Sequence, residues 1–197
     1  VDPSNDLDLK INAIVGTSSA RRKNQLFLFR EDLKIKDLRG NVPTRINKLN
    51  DGFYDAIVLA KAWINRLNPD ISQYHIVNLS PTTFIPAPSQ GALGLQIRKD
   101  DRELKKLLNI INHKSSNENV MFERAVLKGI GGGCHSPMGA YSFKDQNGKR
   151  NTWVSYSDHV NQTPIRFYTN SNNCISLCLF IFNRFFCITI NNYSFAH

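Results

Sequence analysis

Between Ile11 and Leu67 the chain switches repeatedly between strand-type and helix-type patterning, and that alternation restricts its fold more than any other feature. Ile11 to Val15 is a short β-branched run that ends at Gly16, which reads as a strand followed by a turn. Ser19 to Phe29 then shows helical apolar spacing through Ala20, Leu26, Leu28 and Phe29. Lys34 to Leu38 alternates as a second strand. Pro43 suits the first turn of a helix running to about Leu49, which Asn50-Asp51-Gly52 terminates. Asp55 to Ala60 reads as a buried strand, and Lys61 to Leu67 as a helix stopped by Asn68-Pro69. Strand and helix in strict alternation predict an α/β fold with a parallel sheet.

The remainder predicts a different layout. Phe84 to Arg98 carries prolines, a Gly-Ala-Leu-Gly step and an apolar strand, and Asp100 to Ile111 an amphipathic helix. His113 to Ser116 reads as a linker and Asn117 to Ile130 as a second helix. Strands over Pro137–Lys144 and Thr152–Ser157, joined across Asp145-Gln146-Asn147-Gly148, form a hairpin signal. This second region is expected to be a small α+β domain. Beyond about Asn161 the composition changes, and Cys174 to Ile190 has neither helical nor strand period. A membrane helix is disfavoured there, because the apolar stretch is short and broken by Asn183-Arg184. An aberrant or disordered tail over 169–197 is the expectation.

Hydrophobic content of 41% and charged content of 21% describe a globular chain, and 25 basic against 16 acidic residues give a net charge of +9. An excess of that size attracts anions. The basic residues stand singly or in pairs near glycines and hydroxyls, which favours discrete carboxylates or phosphates over a nucleic-acid backbone. The four cysteines, Cys134, Cys174, Cys178 and Cys187, form no CxxC pair, so no metal site is expected. The opening residues are polar and resemble no secretory signal, which favours a reducing, cytoplasmic compartment and no membrane association.

Two features carry chemistry. Gly16-Thr17-Ser18-Ser19 joins a strand to a helix start, where free N–H groups and hydroxyls form an anion site, and Arg21 and Arg22 add full charges. The plainer alternative is a serine cap with solvated arginines. Arg39-Gly40 ends the next strand and Arg45 follows one turn into the next helix, so two basic clusters sit at neighbouring strand ends. The second feature is Gly131-Gly132-Gly133-Cys134-His135, a cysteine on a glycine loop. An inert thiol and a covalent attachment point both remain open. A Cys134/His135 hydrolytic dyad is disfavoured, since consecutive side chains usually diverge.

Gly16-Thr17-Ser18-Ser19-Ala20-Arg21-Arg22, Leu38-Arg39-Gly40-Asn41-Val42-Pro43-Thr44-Arg45, Pro88-Ser89-Gln90-Gly91-Ala92 and the cysteine loop occur in that order. In order and spacing they resemble the porphobilinogen deaminase (hydroxymethylbilane synthase) family, from about Ile14 to about Ser157. The resemblance implies a periplasmic-binding-protein-like α/β domain over 1–83, a segment over 84–112 returning toward a further N-terminal domain, and a cofactor-carrying α+β domain over 113–168. It implies a dipyrromethane cofactor bound covalently to Cys134, with Thr17, Ser18, Ser19, Arg21, Arg22, Arg39 and Gly40 around it. Arg45 and Arg66 would bind substrate. The implied reaction is a transferase cycle of heme (tetrapyrrole) biosynthesis. Four porphobilinogen molecules lose ammonia in turn and extend the cofactor-bound oligopyrrole, and hydrolysis then frees hydroxymethylbilane while the cofactor stays attached. The family's catalytic aspartate matches no residue here and would belong to the further N-terminal domain. The chain is therefore expected to be a fragment, inactive alone unless a companion chain supplies that domain. A plastid location becomes an option if a transit peptide lies upstream. A non-catalytic anion-binding module and a decayed gene product are the competing expectations. Ser89 stands where the family carries glycine, and a positive φ there would cost a serine about 1 kcal/mol or more.

Overall fold

The computed structural model describes residues 7–131 and 137–172. The opening run becomes strand β1 (Ile14–Gly16), which pairs in parallel with β2 (Lys34–Lys36) on one side and β3 (Ala56–Ile57) on the other. Val15 stands opposite both Ile35 and Ala56, so β1 is the central strand. The strand–helix alternation is thus borne out as a parallel layer. β3 is shorter than expected: two half-buried residues replace the six-residue buried strand.

Each helix of this layer starts where a side chain can satisfy its free N–H groups. Ser19 caps α1 (Ala20–Phe29), its Oγ accepting from the Arg22 N–H at 3.4 Å. Asn41 caps α2 (Val42–Asn50), its Oδ1 accepting from the Thr44 N–H at 2.9 Å. α3 (Lys61–Leu67) ends at Asn68 in the left-handed conformation, one residue before Pro69. The core joins Val15 to Leu26 and Phe29 of α1, Leu33 and Phe84, with the Phe29 and Phe84 rings 5.9 Å apart. Burying each such side chain stabilises the layer by about 1.5–3 kcal/mol.

α4 (Arg102–Ile110) is capped by Asp101 and buries no residue. Leu104, Leu107 and Ile110 of α4 are 39%, 61% and 81% exposed. The apolar strand expected before α4 is absent. Leu93 and Leu95 are exposed and residues 91–98 join neither sheet, because an extended run becomes a strand only where a sheet edge accepts its N–H groups.

Helix α5 (Lys114–Gly129) begins where a linker was expected, the serines of Lys114-Ser115-Ser116 forming its first turn. It packs on an antiparallel sheet of β4 (Met138–Lys144), β5 (Arg150–Tyr156) and β6 (Ile165–Asn170), in that order. The hairpin reading of β4 and β5 holds, with Asp145 N–H and O closing the turn onto Lys149 and Gly148. β6 was not anticipated. It pairs along its whole length with β5, from Asn151↔Asn170 to Tyr156↔Ile165. Val126 and Ile130 pack with Met138, Ala140, Val154 and Phe167 as a second core. Among the described residues no helix is long and apolar enough to cross a membrane. Of the tail expected over 169–197, Thr169 and Asn170 instead belong to β6, and the residues from 173 onward lie outside the described residues.

Candidate anion site

The end of β1 is laced to the end of β2 by hydroxyls. Ser18 Oγ accepts from the Leu38 N–H at 3.0 Å and donates to the Leu38 carbonyl at 3.1 Å. Thr17 is buried, its N–H donating to the Lys36 carbonyl and its Oγ1 accepting from the Ser19 N–H. Both hydroxyls therefore shape the turn. That shaping leaves the α1 N-terminus and the Leu38–Arg45 loop side by side at the carboxyl end of the parallel sheet, where α/β layers place ligands.

Three arginines meet there. Arg21 is 5% exposed, and its Nη1 donates to the Ile85 carbonyl at 2.6 Å while Nη2 donates to Gln90 Oε1 at 3.3 Å. Arg22 is half-buried and donates from Nη1 to the Val58 carbonyl at 2.7 Å. Arg45 donates from Nε to the Gly40 carbonyl at 2.8 Å. Burial pushes the Arg21 guanidinium down to about 9, with the charge of Arg22 adding to the shift. Burial also lowers Arg22, with Arg45 repelling it. None of the three enters an ion pair among the described residues. Carbonyl oxygens are their acceptors, and these carry only partial charge.

The other expected site residues are less uniform. Arg39 is exposed, and its carbonyl accepts from Lys48 Nζ at 3.2 Å. Gly40 has φ +119°, and a Cβ there would meet Thr44 Cγ2 at 2.8 Å, so only glycine fits beside the arginines. Arg66 is exposed and tied by Nη2 to the Gly91 carbonyl at 2.7 Å. Cys134 lies outside the described residues, between the end of α5 and the start of β4.

Sequence reading missed the polar side chains that hold this site to the rest of the chain. Gln25 is fully buried, donating to the Ile85 carbonyl at 2.9 Å and accepting from the Ile85 N–H at 2.7 Å. Asn24, also fully buried, donates to Ser157 Oγ and the His159 carbonyl and accepts from the Asn161 N–H. Glu123 is 7% exposed and accepts two backbone N–H groups, from Ser89 and Ser142. Among the described residues no group of three or more His, Cys, Asp or Glu is placed to hold a metal.

Two family models match this chain. Residues 2–106 match "Porphobilinogen deaminase, dipyromethane cofactor binding domain" and residues 117–154 match "Porphobilinogen deaminase, C-terminal domain". A "Probable porphobilinogen deaminase" of Sulfurisphaera tokodaii is 45% identical over 144 residues, 73% of this chain and 48% of that protein. The "Porphobilinogen deaminase" of Clostridium novyi is 47% identical over 134 residues, 68% of this chain and 45% of its own length. That of Thermus thermophilus is 45% identical over 141 residues, 72% of this chain and 46% of its own length. The chain thus spans about half the length of the curated relatives it matches.

Proposed function

The chain belongs to the porphobilinogen deaminase family, and from that premise we propose that its arginine turn grips the acidic side chains of an oligopyrrole while four porphobilinogen molecules are joined, with loss of ammonia, into hydroxymethylbilane. The observation that carries this reading is the cluster of buried Arg21 and half-buried Arg22 beside Arg45, none of them in an ion pair among the described residues. Like charges taken out of water without a counter-ion cost several kcal/mol. A ligand bearing an acetate and a propionate on each pyrrole offsets that cost, and guanidinium groups bind carboxylates bidentately and stay charged through the working pH range.

The residues present fit a dipyrromethane. The free N–H groups of the first turn of α1 and the guanidiniums of Arg21 and Arg22 supply donors for its carboxylates, and Gly40, packed against Thr44 with φ +119°, lets the chain turn sharply beside Arg39. Attached at Cys134, the dipyrromethane supplies the pyrrole to which new units are added. Thr17, Ser18 and Ser19 hold the turn in shape around it. Arg45 and Arg66 are assigned to incoming substrate and the growing product. Fixed positive charge at this edge keeps each acidic unit in place while the next one binds.

The reading extends to architecture and surroundings. The parallel layer is one lobe of a periplasmic-binding-protein-like pair, and a companion segment or chain covers the apolar face of α4. The exposed Leu104, Leu107 and Ile110 support that placement. Attachment of the dipyrromethane needs Cys134 as a reduced thiol, which favours a reducing compartment, cytoplasmic or, with an upstream transit peptide, plastid.

Intact mass of the purified protein, with Cys134→Ser as control and Ehrlich's reagent for pyrroles, tests the proposal. The expected result is a Cys134-dependent adduct of dipyrromethane mass. An unmodified mass that stays unchanged after incubation of folded protein with porphobilinogen would overturn it.

A further inference from the structure

The segment 85–90 crosses between the arginine turn and the antiparallel unit and is gripped from both sides. On one side Arg21 and Gln25 hold Ile85, and Arg21 reaches Gln90. On the other, the Ala140 N–H donates to the Pro86 carbonyl at 2.9 Å, and a Cβ at Gly139 would lie 2.6 Å from the Ile85 carbonyl. Between these grips stands Ser89, with φ +67°, a conformation serine adopts at a cost. Its Oγ is buried and makes no hydrogen bond among the described residues. Serine therefore gains nothing from its own side chain at this position.

The backbone of Ser89 does find a partner. Its N–H donates to Glu123 Oε2 at 2.7 Å, and the other oxygen of the same carboxylate accepts from the Ser142 N–H at 2.9 Å. One buried carboxylate on α5 thus ties β4 to a residue held in a left-handed conformation, immediately before the glutamine that contacts Arg21. Hydrogen bonds to an ionised acceptor are about twice as strong as neutral ones, enough to hold a backbone that glycine would hold unaided.

We propose that Glu123 is a positioning residue for the arginine turn: its carboxylate keeps Ser89 left-handed, and that conformation sets Gln90 against the Arg21 guanidinium. The inference rests on the proposed role of Arg21 in gripping the oligopyrrole. It accounts for a serine at a position with positive φ, because the carboxylate substitutes for the freedom of glycine. Glu123→Gln keeps the shape but turns an NH₂ group toward one of the two N–H donors.

A double-mutant cycle of Glu123→Gln and Ser89→Gly, made in the full 197-residue chain, tests this. Two readouts are taken: affinity for porphobilinogen by calorimetry, and the guanidinium ¹⁵N–¹H signal of Arg21 without ligand. Glu123→Gln alone should weaken binding about fivefold and shift the Arg21 signal, as loss of roughly one such restraint implies. Ser89→Gly should restore both in the double variant. If Glu123→Gln fails to fold and the double variant folds, the proposal stands. If neither folds, or the losses persist in the double variant, Glu123 serves the core alone and the proposal is overturned. An unchanged Arg21 signal in Glu123→Gln overturns it as well. Should wild type and Arg22→Ala both fail to bind porphobilinogen, the functional reading fails, and the Arg21 signal still decides the role of Glu123.

Discussion

At the scale of single residues the site is a set of charges held against their preference. Arg22 is lowered by burial first and by Arg45 second, so removing Arg45 relieves the ligand-free protein. Arg45→Gln should raise unfolding stability by a few tenths to about 1 kcal/mol, while weakening porphobilinogen binding several-fold. Denaturant midpoints and calorimetry on the same preparation check both halves. A variant that loses stability and binding together would show Arg45 to be part of the scaffold instead. Added salt should act in the same direction as the substitution, since it screens the repulsion and competes for the anion site. The Ser19 cap and the place of the arginines at a strand–helix junction were legible because a hydroxyl just before a helical run is a local capping signal. Asn24, Gln25 and Glu123 were not. A buried amide or carboxylate on a helix has the same letter as a solvated one, and its partners outside its own helix lie 19 to 137 residues away.

Secondary-structure elements were legible where local rules decide them. α1, α2 and α3 begin and end within about one residue of their expected limits, because each carries its own caps or breakers. β6 was missed since only Phe167 of its six residues is buried, which leaves little alternation to read. The apolar run of 91–98 failed in the opposite sense, as its hydrophobicity suggested a strand that no sheet edge receives. Tertiary contacts settle such cases. The turn from α1 to β2 is another, and it depends on pH. Asp32 accepts from Arg30 Nε and Nη2 and from the Asn12 N–H, so the chain entering β1 and the chain entering β2 share one carboxylate. The Arg30 guanidinium first, and the Asn12 N–H second, hold that carboxyl well below the usual range. Its folded value lies under its unfolded value, so the stabilisation is complete above about pH 5 and fades as pH falls toward about 2. Asp32→Asn should therefore flatten the acid limb of stability against pH, read from urea midpoints at successive pH values. An acid limb as steep as that of wild type would remove Asp32 from the account.

For the whole molecule, the question is whether two sheets of different type unfold as one body. Their sequence patterns differ, and nothing local says that they cooperate. The structure joins them through α1, whose Arg21 and Gln25 hold the crossing segment while Asn24 reaches the β5–β6 loop. Arg166 of β6 adds a bond to the Thr82 carbonyl at 2.6 Å. Asn24 is the most exacting of these links, because it satisfies Ser157 Oγ, the His159 carbonyl and the Asn161 N–H at once, and Asn161 itself has φ +67°. Asn24→Ala strands those groups and should cost about 2–4 kcal/mol. The two tryptophans can report where that loss falls, since Trp63 lies on α3, which follows β3 of the parallel sheet in the chain, and Trp153 on β5 in the antiparallel one. With Trp63→Phe and Trp153→Phe backgrounds, each unit is followed by itself during urea unfolding. In the wild-type context the two probes should give one midpoint. Asn24→Ala should separate them, with Trp153 reporting a different midpoint from Trp63. Coincident midpoints shifted together would mean that the crossing segment alone is enough to couple the units. An unshifted pair would mean that the Asn24 bonds contribute nothing to holding the arginine turn against the unit that bears the cysteine.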